Sequence, residues 1–197
     1  MKNDLKRLLS QVKDFEQPRI TLEQYITPPS LAADLIFTAY MQKDIENKKV
    51  LDLGTGTGIL AIGASKLEAE VTAVEKDQSA LNTAKENAEN LKAEISFVKR
   101  DVEEYSGDFE TVVMNPPFSV HSDIGLSYWE KAIELSEKVY GISPRGARDS
   151  IKSLVQSSNH RIVGVQEYSI GLPPSYGFHT EQSRETPVDL IITEEKK

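Results

Sequence analysis

The chain has 197 residues, 39% of them apolar and 27% charged, enough for one packed core and too apolar for global disorder. Lysine and arginine number 23 against 31 acids, and the net charge of −8 excludes retention on nucleic acid by bulk charge, though not by a local basic patch. The lack of cysteine excludes disulfides and thiolate chemistry, three scattered histidines speak against a metal centre, and no apolar run approaches the ~20 residues of a membrane span.

The N-terminal MKNDLKRLLSQVKDF carries charges where a signal peptide needs an apolar stretch, so a soluble cytoplasmic protein is expected. Leu5, Leu8, Leu9, Val12 and Phe15 recur at three- and four-residue steps and predict an amphipathic helix. The following EQPRITLEQYITPPS, broken by Pro18, Pro28 and Pro29, predicts an ordered loop. Ser30 is a suitable cap for a second helix, with Ala33, Ile36, Phe37 and Tyr40 on one side. From Lys49 the rhythm changes to apolar runs at 50–53, 71–75, 95–99, 111–115 and 139–143, separated mostly by helix-length amphipathic segments. Unalternating strands joined by such crossovers predict a doubly wound α/β fold, its parallel sheet covered on both faces. RIVGVQEYSI and VDLIIT close the chain without a helical pattern between them, which predicts an antiparallel last strand in a mostly parallel seven-stranded sheet. One domain spanning 1–197 is expected, with a helical N-terminal extension over 1–45 and the core over 46–197.

The first strand ends in Asp52-Leu53-Gly54-Thr55-Gly56-Thr57-Gly58 and a helix starts at once. Glycines there let backbone N–H groups approach a ligand closely at a helix N-terminus. The G-x-G-x-G spacing differs from the usual dinucleotide fingerprint, and no Gly-Lys-Ser/Thr follows to make a phosphate loop. A carboxylate at Asp52 repels a pyrophosphate and suits a ligand with an ammonium and a sulfonium, as in S-adenosylmethionine (SAM). Glu75 ends the second strand, where an acid accepts ribose hydroxyls; Asp101 ends the third, where it would accept from an adenine amino group while the Val102 N–H donates to the ring. Three carboxylates at adjacent strand ends line the crevice where such sheets bind ligands.

The fourth strand runs into Asn115-Pro116-Pro117-Phe118. Two prolines fix φ and remove two donors, leaving the Asn115 side-chain oxygen and the Pro116 carbonyl as acceptors in set geometry. A planar NH₂ group, adenine N6 or a glutamine amide, has two hydrogens to give such a pair. Methyl transfer to that nitrogen would then rest on positioning and electrostatics rather than on a strong base. Phe118 offers a ring on which a flipped base would stack.

Together, LEQYITPP (22–29), DLGTGTGILAIGA, NPPF and PPSYGFHTEQSRETPVDLI resemble the class I SAM-dependent methyltransferases. Within them, the motifs resemble the methyltransferase-like-five type of RNA N6-adenine methyltransferase, which modifies small-subunit ribosomal RNA. The resemblance implies that Gln24 and Thr27 close over SAM, with Tyr25 bordering the pocket. Gly54 and Thr57 would contact the methionine portion, Glu75 the ribose, Asp101 and Val102 the adenine, and Asn115 to Phe118 the target base. It further implies structured RNA as substrate and a small zinc-binding activator protein that adds a strand to the sheet edge. Where relatives carry a lysine run after Phe178-His179, this chain has Thr180-Glu181-Gln182-Ser183 and then Arg184; Ser119 stands where relatives often have glycine.

Arg145, Arg148, Lys152 and Arg161 against Asp149 make segment 143–161 net +3 (4 − 1), a candidate RNA surface together with Lys99 and Arg100. Trp129, Met41 and Met114 are expected in packing and His160 and His179 as surface or core residues, with His179 open to an RNA contact because the family pattern includes it; His121 either lines the pocket or belongs to a loop. Competing readings are a protein-glutamine N5-methyltransferase of release-factor type and a non-catalytic SAM- or RNA-binding ribosome assembly factor. A nicotinamide-dependent reductase fits the motifs least.

Overall fold

A computed structural model describes residues 1–118, 124–171 and 185–196. Ser119, His121, His179, the 180–183 segment and Arg184 lie outside the described residues. One seven-stranded sheet organises the chain, in the order β3-β2-β1-β4-β5-β7-β6. Strands β1 (Lys49–Leu53), β2 (Glu70–Glu75), β3 (Ile95–Lys99), β4 (Phe109–Met114) and β5 (Ser136–Pro144) run parallel; β7 (Glu185–Glu195) pairs antiparallel with both β5 and β6 (His160–Gly171). This is the class I methyltransferase architecture, with its one reversed strand.

The unalternating apolar runs reflect burial on both faces. In β1, Val50 enters one core layer while Leu51 and Leu53 enter the other. Helices α1 (Lys2–Leu9), α2 (Pro29–Met41), α3 (Ile59–Ser65) and α4 (Gln78–Asn90) cover the first face. Helices α5 (Ile124–Leu135) and α6 (Arg148–Ser157) cover the second, where Trp129 is buried against the site a Cβ on Gly141 would need.

Two local expectations are corrected. The first helix stops at Leu9, so Phe15 is not on it; the chain turns out of the helix and carries Phe15 over the glycine loop. Helix α2 starts two residues earlier than a cap at Ser30 would place it, because Pro29 has no N–H to leave unsatisfied at a helix start. Its buried residues, Leu31 to Ala33, Leu35, Ile36 and Ala39, also span more of the helix than the single side expected.

The strand order reverses between β1 and β4, whose carboxyl ends therefore open a crevice. The glycine loop leaves β1 at that point and the Asn-Pro-Pro-Phe corner leaves β4 beside it, since Asp52 pairs in register with Val113.

Candidate active site

The glycine loop is tied at both ends. Gly54 and Thr55 N–H groups donate to the Val74 carbonyl at 3.0 and 2.9 Å, anchoring it to β2. Below, one oxygen of the buried Asp52 accepts from the Thr55 hydroxyl at 2.6 Å and from the Ala61 N–H of α3 at 2.9 Å. Burial pushes the Asp52 carboxyl up to about 7, against the pull of those two donors. Gly54, Gly56 and Gly58 all hold φ between 55° and 87°. At Gly54 an added Cβ would meet Tyr128 Cε1 at 2.8 Å, and at Gly56 it would meet Phe15 Cζ at 3.0 Å. Two rings thus clasp the loop, and only glycine admits both the backbone turn and their approach.

Glu75 stands at the end of β2 with each oxygen held, one by the Gly56 N–H at 3.0 Å and the other by the Asp77 N–H at 2.9 Å. Burial raises its pKa and these backbone donors oppose the rise.

The segment from Lys13 to Pro28 forms a strap across the crevice, with one 3₁₀ turn at Ile20–Leu22. It is pinned at three points. Asn87 of α4 accepts from the Lys13 N–H at 2.9 Å, and its Nδ2 donates to the carbonyls of Lys13 and Thr57, so one buried amide joins strap, glycine loop and helix. Gln24 Nε2 donates to Asp77 at 2.7 Å, while Arg19 lies 3.6 Å from the same carboxylate. Burial would raise the Asp77 pKa, and the donors from Gln24, Ser79 and Arg19 bring it below its ordinary value. At the third point the Tyr25 hydroxyl donates to Asn115 Oδ1 at 3.1 Å, and Asn115 Nδ2 donates to Thr27 Oγ1 at 2.9 Å.

Strap, loop and corner enclose one cleft. It brings together Gln24, Tyr25, Thr27, Asp52, Gly54, Thr57, Glu75, Asn115 and Pro117. Asp101 and Val102 are not on its wall. Asp101 caps the short 3₁₀ turn after β3, accepting from the Glu103 N–H at 3.2 Å and pairing with Lys76 at 3.4 Å; Val102 is buried in the second core layer. Pro116 is buried beneath the corner, and Phe118 packs on Tyr25 with ring centroids 5.4 Å apart.

Sequence reasoning missed Phe15, Tyr128, Lys76 and Glu23 on the wall, and Asn87 and Asp77 behind it. Phe15 continued a helical period and so looked like a core residue. The Asp77-x-Ser79 spacing was a visible helix-cap signal, and Asp77 does accept from the Ser79 N–H. Nothing in the local sequence marks Tyr128.

The basic segment is largely internally compensated. Arg148 donates to both oxygens of the fully buried Asp189 at 2.7 Å and to Glu167 at 2.7 Å; Arg145 joins the same acids, and Arg161 pairs with Glu194 at 2.6 Å. The expectation of four available cations there is corrected: three are paired, because β6 and β7 bring acids beside them. Lys99, Arg100 and Lys152 are exposed. His160 is buried between Thr193 and the Ser136 carbonyl, and burial lowers its pKa, so it serves the core. Among the described residues no group of three or more His, Asp or Glu is placed to hold a metal, and no helix is long and apolar enough to cross a membrane.

The reversed-strand sheet, the glycine loop and the strand-four corner on one cleft define a methyltransferase of class I fold. The family model for the methyltransferase small domain matches residues 32–142, and the chain belongs to that family. The rRNA N(6)-adenosine-methyltransferase METTL5 of Danio rerio is 35% identical over 95% of this chain and 96% of its own. The Mettl5 protein of Drosophila melanogaster is 35% identical over 94% and 92%. The solved structure of a candidate RNA methyltransferase from Pyrococcus horikoshii superposes with a TM-score of 0.91 at 34% identity, covering 98% of this chain and 97% of that one.

Proposed function

We propose that this protein transfers a methyl group from SAM to N6 of an adenosine in small-subunit ribosomal RNA. One observation carries the reading. Asn115, at the corner after β4, opens onto the same cleft as the glycine loop and Glu75. An amino-group acceptor thus stands beside the glycine loop and the strand-two acid, in a chain related along nearly its whole length to rRNA N6-adenosine methyltransferases.

The residues fit the cofactor. Loop glycines leave backbone open to it, Glu75 faces the cleft as an acceptor, and the raised Asp52 carboxyl is one that a nearby cation would ionise. When bound, SAM supplies an electrophilic methyl group. Asn115 Oδ1 and the Pro116 carbonyl accept the two hydrogens of the target amino group and turn its lone pair toward that carbon. Held by the glycine loop and Glu75, SAM would supply that carbon and keep the carbon–sulfur electron pair as a neutral thioether, while Asn115 and Pro116 would hold the nitrogen as it gives up one proton to water. Phe118 stacks the extruded base. Asp101, which pairs with the wall residue Lys76 at 3.4 Å, is proposed together with Val102 to take the adenine of the cofactor beyond the cleft wall.

We also propose that a small zinc-binding activator protein adds a strand to β3, which among the described residues pairs only with β2.

Incubation with methyl-labelled SAM, purified small ribosomal subunits and, separately, release factor tests the reading. Label recovered as N6-methyladenosine in the subunit RNA is expected; label in release-factor glutamine instead overturns it. Asn115→Ala abolishes transfer and leaves SAM affinity within about threefold, because the lost contact serves the transition state.

A further inference from the structure

The resemblance has Thr27 closing over the cofactor and Tyr25 bordering its pocket, and the structure also gives each a hydrogen bond to Asn115. Resting on the function proposed above, we infer that Tyr25 and Thr27 are positioning residues that hold the plane of the Asn115 amide, so that the strap over the cofactor also sets the grip on the target base.

The torsion that turns an asparagine amide is broad, with no deep well of its own. An acceptor oxygen is most effective along its in-plane lone pairs, so the orientation of that plane decides how well Oδ1 meets an amino hydrogen. Prolines after Asn115 stiffen the backbone but leave this torsion untouched. The two hydroxyls act where the prolines do not: Tyr25 donates to one end of the amide at 3.1 Å and Thr27 accepts from the other at 2.9 Å. A carbonyl oxygen has two lone pairs, so the one engaged by Tyr25 leaves one for substrate.

The supports are themselves held. Thr27 is buried, and the Tyr25 ring packs against Phe118 at 5.4 Å. Both come from a segment 88 and 90 residues away in the chain, so the amide is braced by a separate part of the fold. Both also line the cleft, and a ligand seated there presses on the same strap that braces Asn115.

Thr27→Val and Tyr25→Phe each remove one hydroxyl while keeping shape and, for Tyr25, the ring contact. Single-turnover methyl transfer at saturating SAM and RNA is expected to fall about 10- to 100-fold in either variant. The dissociation constant for S-adenosylhomocysteine stays within about threefold, and Thr27→Ser restores the rate. Full rates in both single variants overturn the inference, as does a loss that vanishes at saturating SAM and tracks cofactor affinity, which marks the hydroxyls as roof contacts only. Asn115→Ala separates the two levels. If it stays active, the transfer mechanism itself fails; if it is inactive while Thr27→Val and Tyr25→Phe run at full rate, only the positioning role fails.

Discussion

Asp52 shows how one residue serves the fold and sets an electrostatic condition on the site. Its carboxylate joins the loop to α3 through Thr55 and Ala61, and burial has moved its pKa to about 7. In the free protein this raised value makes the ionised carboxylate costly, so the Asp52 contribution to stability is present at low pH and is lost as pH rises through about 7. A ligand carrying positive charge reverses that preference. Cofactor affinity is therefore expected to strengthen as pH rises from about 6 to about 8, with Glu75, also raised, adding in the same direction at the acid end. Calorimetric titration across that range checks this, and Asp52→Asn flattens the profile. A flat profile in the unaltered protein removes Asp52 from any charge contact with the ligand. Its presence on the wall was legible from the motif, as were Glu75 and Asn115, because strand ends and a proline pair are local signals. The two hydrogen bonds it accepts from Thr55 and Ala61 were not, since they depend on how tightly the loop closes.

At the scale of elements, parallel strands and crossover helices were readable because burial on both faces leaves unalternating apolar runs. The strap was readable as a loop from its prolines, but its three anchors were not, because Asn87, Asp77 and Asn115 belong to elements far along the chain. Pairing across distant strands also hid the fate of the basic segment. Asp189 of β7 faces α6 and is wholly buried, and both its oxygens are taken by Arg148. Removing Arg148 leaves the buried Asp189 charge to the longer Arg145 contact at 3.4 Å, whereas removing both charges leaves nothing to compensate. Arg148→Ala is thus expected to lower the melting temperature by several degrees, and Asp189→Asn added to it to recover part of the loss, by thermal denaturation. Equal melting temperatures for Arg148→Ala and the unaltered protein would mean that the pair is not what holds α6 to β7.

For the whole molecule, the charge count and the paired arginines bear on how an acidic protein meets RNA. With a net charge of −8, its surface as a whole repels phosphate, and Arg145, Arg148 and Arg161 are already engaged by Glu167, Asp189 and Glu194. Lys99 ends β3 and Arg100 follows it at the carboxyl edge of the sheet, on the side where the cleft opens, and Lys152 lies exposed on α6. RNA affinity in this reading rests on few phosphate contacts and mostly on the extruded base and RNA shape. Each phosphate contact contributes roughly 0.7–0.9 to the slope of log affinity against log salt. Replacing Lys99 and Arg100 together by alanine is expected to weaken RNA binding and flatten that slope by about 1.4 to 1.8. Arg161→Ala, whose partner Glu194 already neutralises it, leaves both affinity and slope close to the unaltered values. Binding titrations over a range of potassium chloride decide the matter. A slope that responds to Arg161 and ignores Lys99 and Arg100 would move the RNA path from the β3 end of the sheet to the β6 edge.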